Sequence, residues 1–337
     1  MKLFLSKIFS RWVPAGVSLD TYTHQFTQNN LRIKGIILFV IINIIWGSTF
    51  PLIENTVNSL SPSVLISMRF TVAAIFFSVN LRRLNKLMLR DGLLLGLLFF
   101  AYLAIETIAL ESIHANRAAF IISLSAILVP LLGLFLGRHL PLKTFLSAGL
   151  AIFGIGVIFW GEGVLGIGDL LMLVDAIVYA IYTLILEQIA PRHPSLSLTS
   201  VQLVVVAILG ALWSNTQLVE EFNTIYENWS VILYLGLVAT AIVTWLQTLA
   251  QRWIRSEEAA LLYTLEPIFA AIFSFWLLGE QLGISSLIGA TFVLSAIVLG
   301  QNSQDFEPYT EVDVSEPTSA VLVVSEANCV KSNSLGS

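Results

Sequence analysis

Ten apolar stretches, each close to the length that crosses a bilayer, govern what this chain can fold into. They lie near 35–53, 61–81, 92–110, 116–136, 142–160, 168–187, 196–214, 229–250, 257–278 and 282–300. A helix needs roughly 20 predominantly apolar residues to cross the hydrocarbon. Lipid offers no hydrogen bonds, so each backbone group must be satisfied within the segment, and runs of this kind fold as helices. Only 12% of the 337 residues are charged, against about 25% in a soluble domain. The chain reads as an all-α integral membrane protein with ten transmembrane helices.

The ends differ from this body. Residues 1–34 form an amino-terminal segment. Within it, Met1 to Trp12 places apolar residues at 1, 4, 5, 8, 9 and 12, with Lys2, Lys7 and Arg11 elsewhere on the wheel. That pattern suits a short interfacial helix. No long apolar core or small-residue cleavage site follows, so it is not read as a signal peptide. Thr21 to Asn30 is polar and reads as disordered. Residues 301–337 hold Asp305, Glu307, Glu311, Asp313, Glu316 and Glu326 against Lys331, which reads as a disordered acidic tail.

Charge sets orientation. If the amino terminus is cytoplasmic, one side collects Arg32, Lys34, Arg82, Arg83, Lys86, Arg90, Arg138, Lys143, Arg192, Arg252 and Arg255. The other side has Arg117 and is otherwise acidic, with Glu54, Glu111, Glu162, Glu220, Glu221, Glu227 and Glu280. Cytoplasmic loops carry the excess of Lys and Arg. Both termini are therefore expected in the cytoplasm, and the plasma membrane is the expected location.

The chain repeats itself. Glu106-Thr107-Ile108-Ala109 aligns with Gln247-Thr248-Leu249-Ala250, and an Ala-Ala pair follows each, at 118–119 and 259–260. Trp46 to Glu54 matches Tyr179 to Glu187 more weakly. The unit is five spans, giving repeats at 35–160 and 168–300. Five is odd, so the second copy must be inverted, and inverted repeats place a site at their interface near the midplane.

Ionisable residues inside spans are costly and face a cavity or a partner. Glu266 and Pro267 stand in the middle of the ninth span; the carboxyl marks a polar point and the proline removes a backbone donor. Arg69 lies deep in the second span, suited to an anionic group of a substrate and equally to a structural role. Asp175 shares a helix face with Tyr179 and Tyr182. Tyr102 and Glu106 repeat the i, i+4 spacing on the third span. Thr240, Thr244, Gln247 and Gln251 make a polar stripe on the eighth, read either as cavity wall or as interhelical glue. Trp46 to Pro51 interrupts the first span, a bend beside a cavity or an ordinary proline kink. Gly92/Gly96 and Gly133/Gly137 have the spacing of close helix packing.

Other chemistries find no support. Gly161-Glu162-Gly163-Val164-Leu165-Gly166 has GxGxxG spacing but lies between two membrane spans, not between a strand and a helix. Cys329 is the one cysteine, and His24, His114, His139 and His193 show no metal-ligand spacing. There is no P-loop, GxSxG or HExxH. No cofactor, metal, nucleic-acid partner or enzyme activity is expected.

Several of these residues together resemble one family. Leu265-Glu266-Pro267 with Leu278-Gly279-Glu280, residues 118–140 in the fourth span, Trp46-Gly47, Arg69, Gly168-Asp169 and the 236–252 segment resemble the drug/metabolite transporter superfamily, EamA type. The resemblance covers roughly residues 35–300. It implies ten helices in two inverted repeats around a central cavity, and gradient-driven export or exchange of small metabolites, often amino acids. Two positions depart from the pattern. Arg138 stands where the first repeat usually carries glutamate, and Asp175 stands where a small apolar residue is common.

The expected function is secondary transport of a small polar metabolite by alternating access, with export as the expected direction. Trp46, Tyr102, Tyr179, Tyr182 and Tyr263 would wall the cavity. Arg69, Glu106, Asp175, Gln247 and Glu266 would make polar contacts, and Pro51 and Pro267 would act as hinges. Glu266 or Asp175 is the candidate for proton coupling. An exchanger of organic anions or nucleotide-linked metabolites is the alternative; a membrane enzyme or passive channel ranks below it. The protein is expected to work as a monomer or homodimer.

Overall fold

The computed structural model describes residues 19–83, 85–135, 142–159, 166–279 and 284–301. Within them every regular element is helical. Helix occupies each of the ten apolar stretches, and among the described residues seven helices are long and apolar enough to cross a membrane. These are Asn30–Val57, Lys86–Ala109, Ala115–Phe135, Ile167–Arg192, Ser195–Ser214, Trp229–Ala250 and Ser256–Leu278. The second stretch yields only the helix Pro62–Phe77, whose 16 residues rise about 24 Å. It then tightens into the 3-10 segment Ser78–Arg83.

The outer surface is greasy, and the interior mixes an apolar core with many buried polar side chains. Ile75, Phe76, Leu212 and Leu287 point outward and are well exposed, while Asn43, Thr183, Thr199, Gln202 and Gln251 are fully buried. That distribution suits lipid, which removes the penalty for exposed apolar side chains. Many buried hydroxyls are satisfied along their own helix. Thr107, Thr183 and Thr248 each donate to the carbonyl four residues back, at 2.7, 2.9 and 2.8 Å. Gly92 and Gly96 pack as their spacing predicts: a Cβ there would come within 2.5 Å of Val201 and 2.7 Å of Val205.

Three of the long spans are broken. The first divides at Ser48, between Leu19–Gly47 and Thr49–Val57. The fourth divides at Ser123 and Leu124, between Ala115–Ile122 and Ser125–Phe135. The ninth divides at Thr264 and Leu265, between Ser256–Tyr263 and Glu266–Leu278. One constant interval carries Ala109 to Ala250, Ala115 to Ser256, Ile122 to Tyr263 and Ser125 to Glu266, so the breaks fall at matching points of the two halves. The fourth and ninth spans lie side by side in opposite directions. Ala115–Ile122 packs on Glu266–Leu278, and Ser125–Phe135 packs on Ser256–Tyr263.

Two expectations change. Thr21 to Asn30 is not irregular: the helix Leu19–Gly47 runs through it. Extending an existing helix fixes one residue per new bond, with no nucleation penalty, so polar residues beside a span continue it. The ninth span, expected as one helix over 257–278, is two, because Pro267 has no N–H to give to Tyr263 and the chain restarts at Glu266. Pro51 lies three residues beyond the break in its own span. The interfacial helix expected over 1–12, the tail beyond 301, Arg138, Glu162 and Glu280 lie outside the described residues.

Candidate functional site

The breaks converge. Thr49 opens a half-helix, Ile122 closes one and Glu266 opens another, and all three line a single interior cavity. Arg69, Tyr102, Glu106 and Tyr179 also face it, as does Trp46. Phe99 and Leu103 complete the wall. Glu266, in the first turn of a helix that begins inside the span, sits where the backbone dipole favours negative charge.

The cation is held by a fold irregularity. Residues Tyr234–Ile242 form a π-helix. The Arg69 Nε donates to Thr240 Oγ1 within it, and the Trp46 Nε1 donates to the Ala239 carbonyl at 3.0 Å. π-turns recur at functional sites because they displace groups from the regular α-ladder. Gly236 lets this segment close on the second span: a Cβ there would sit 2.8 Å from the Arg69 carbonyl. Gly47 plays the same part at the first break, where a Cβ would meet Phe269 at 2.6 Å.

The aromatic wall is layered. Tyr102 contacts Tyr179 edge to face at 5.1 Å and stacks on Phe99 at 5.2 Å between centroids. Trp46, also in the wall, stacks on Tyr263 behind it at 5.9 Å. Six of the ten predicted binding residues line the cavity: Trp46, Arg69, Tyr102, Glu106, Tyr179 and Glu266. The other four stand one layer back. Gln247 Nε2 donates to the Tyr263 hydroxyl at 2.7 Å. The Tyr182 hydroxyl donates to Gln202 Oε1 at 2.9 Å. Asp175 is fully buried, with neither carboxyl oxygen hydrogen-bonded to protein. Glu106 and Glu266 are close enough to Asp175 to interact with it electrostatically. The Tyr179 hydroxyl lies near that of Tyr263 without a hydrogen bond of ordinary geometry.

Thr49, Phe99, Leu103 and Ile122 escape a reading based on charge and aromatic spacing. Thr49 and Phe99 carried a signal: each is three residues from a predicted wall residue, Trp46 and Tyr102. The cavity is small. The space open to the centre of a water molecule is about 20 Å³, room for roughly one water.

A family model for EamA-like transporters matches this chain twice, over residues 33–160 and 166–300. The chain belongs to the EamA-like transporter family. Several of its relatives carry the name of transporter. One from Archaeoglobus fulgidus, called an uncharacterized transporter, is 29% identical over 266 residues, covering 77% of this chain and 83% of that protein. The uncharacterized transporter YoaV of Bacillus subtilis is 21% identical, over 79% of this chain and 96% of its own length. A WAT1-related protein of Arabidopsis thaliana is 26% identical over 56% of this chain and 53% of its own. A crystal structure superposes with a TM-score of 0.62 at 17% identity, over 79% of this chain and 96% of the other, a likeness of fold. As an EamA-like transporter, the chain is a multi-pass membrane protein that moves small molecules across a lipid bilayer.

Proposed function

We propose that this EamA-like protein is a secondary active exporter of a small zwitterionic metabolite, an amino acid or close relative. It crosses the membrane ten times, as two inverted five-helix repeats, and works by alternating access. One observation carries the substrate class: Arg69 and the carboxyls of Glu106 and Glu266 face the same aromatic-walled cavity. A guanidinium pairs with a substrate carboxylate. The two carboxyls and the faces of Trp46 and Tyr102 receive an ammonium group. The antiparallel fourth and ninth spans, with breaks at matching points, support the inverted arrangement. A cavity with room for about one water is then the occluded conformer, which must widen to admit substrate.

Glu266, which lines the cavity, or Asp175, buried one layer behind it without a hydrogen-bonded partner, is the proposed proton carrier, since a carboxyl withdrawn from water and lacking a fixed partner can take up and release a proton. Pro51 and Pro267 follow two of the breaks and are proposed to keep them pliable. Both termini are placed in the cytoplasm by the distribution of Lys and Arg, with the plasma membrane as the site of action. The organic-anion alternative is weaker because Arg69 is the one cation lining the cavity among the described residues. Thermal stabilisation of the purified protein by a metabolite panel tests the substrate class, because a ligand of the folded state raises its stability. Amino acids should raise the melting temperature and dicarboxylates should not; the reverse ranking refutes the zwitterion assignment.

A further inference from the structure

Charged contacts join the same elements at both ends of the molecule, with the charges exchanged. Arg32 and Glu54 stand at opposite ends of the first long span, about 30 Å apart along a helix of that length. Asp169 and Glu187 stand at opposite ends of the span Ile167–Arg192.

At one end, Glu54 reaches the start of the helix Ala115–Ile122. Its Oε2 accepts from the Ala115 N–H at 2.7 Å and its Oε1 lies 3.0 Å from His114 Nδ1. Arg117, third in that helix, grips Asp169 with two donors, at 2.5 and 2.9 Å. At the other end, Glu187 reaches the start of the helix Ser256–Tyr263. It accepts from the Ser256 hydroxyl at 2.6 Å, with Arg255 4.0 Å away. Glu258, third in that helix, holds Arg32 at 2.9–3.0 Å. Helix position three is thus arginine in one clasp and glutamate in the other. Its partner on the first span of the opposite half is aspartate in one and arginine in the other.

Asp169 and Glu258 are almost wholly buried, while Arg32 keeps a third of its side chain exposed. Losing a partner leaves an uncompensated buried charge, so these pairs resist separation. Each clasp ties the entrance of a broken cavity helix to the other half of the protein. Both are fastened in a structure whose cavity holds about one water.

We infer that these are the two gates of the cavity. The Glu54–Arg117–Asp169 clasp controls access from one face, and the Arg32–Glu187–Glu258 clasp controls access from the other. The inference rests on the alternating-access reading: the clasps position the broken helices and do not touch substrate. Unfastening one clasp opens the cavity to its own face only.

The test uses a cavity reporter, Leu103→Cys, in full-length protein whose native thiol is removed by Cys329→Ser. A membrane-impermeant maleimide is applied to right-side-out and to inside-out vesicles. Arg117→Gln should raise the labelling rate about tenfold from the Glu54 face alone. Glu258→Gln should do so from the opposite face alone. Arg32→Asp with Glu258→Arg gives the second clasp the polarity of the first and should return labelling to within about twofold of the parent. Equal increases from both faces, no increase from either, or a charge exchange that labels as fast as Glu258→Gln overturns the gate assignment while leaving alternating access intact. Rapid labelling of the parent from both faces at once overturns alternating access itself.

Discussion

Arg69 on the second span donates its Nε hydrogen to Thr240 on the π-helix, so the cavity's cation is aimed by an element far along the chain. Losing this acceptor leaves a buried donor unsatisfied, a loss of about 1–3 kcal/mol. Thr240→Val should therefore lower the melting temperature by several degrees and slow transport several-fold. Arg69→Gln should stop transport almost completely while the protein still purifies as a folded species. Size-exclusion chromatography and reconstituted uptake measure both; wild-type uptake in Arg69→Gln removes the residue from the site.

Gly236 is under a steric demand. The Cβ of Gly236→Ala would lie 2.8 Å from the Arg69 carbonyl and 3.0 Å from Val72. Overpacking of this kind destabilises by about 1–3 kcal/mol. The expected outcome is a lower melting temperature together with weaker substrate stabilisation, because the backbone that carries Arg69 must shift. Gly149→Ala, where a Cβ meets nothing within 4 Å, is the matched control and should behave as wild type.

Trp46 spends its indole N–H on the Ala239 carbonyl. Trp46→Phe keeps the aromatic wall and removes that bond. Transport should fall several-fold, mainly through weaker substrate affinity. Gln247→Leu, one layer back, should alter affinity less, since it acts through Tyr263. Concentration-dependent uptake separates the two; a larger affinity loss in Gln247→Leu would reverse the assigned layers.

Proton coupling makes a sharper demand. If Glu266 or Asp175 carries the proton, Glu266→Gln or Asp175→Asn should abolish substrate-driven proton flux while substrate-for-substrate exchange survives. A pH-sensitive dye trapped in proteoliposomes reports the flux. Unchanged proton movement in both variants ends the proposal.

The positions of Arg69, Glu106 and Glu266 were legible because a charge inside an apolar span has few places to go. It turns inward, and these three do. The i, i+4, i+7 spacing of Asp175, Tyr179 and Tyr182 correctly gave a shared, inward face. Spacing gives direction and not depth, so it could not tell that Tyr179 reaches the cavity while Asp175 and Tyr182 stop a layer short. The break at Ser123 and Leu124 was hidden for another reason. Pro130 lies well past it, and nothing in Ile121 to Ser125 names a turn. The repeat held a clue that the sequence reading did not use: Glu266, beside the proline-marked break, has its counterpart at Ser125. Thr21 to Asn30 misled because polar composition was read without the span that extends through it.

Counterflow in proteoliposomes tests the carrier directly. Vesicles loaded with an unlabelled amino acid should accumulate the labelled one several-fold faster than empty vesicles, and Arg69→Gln should lose that acceleration. Labelled uptake that ignores the internal amino acid, or persists unchanged in Arg69→Gln, would contradict a gated cavity built around that guanidinium.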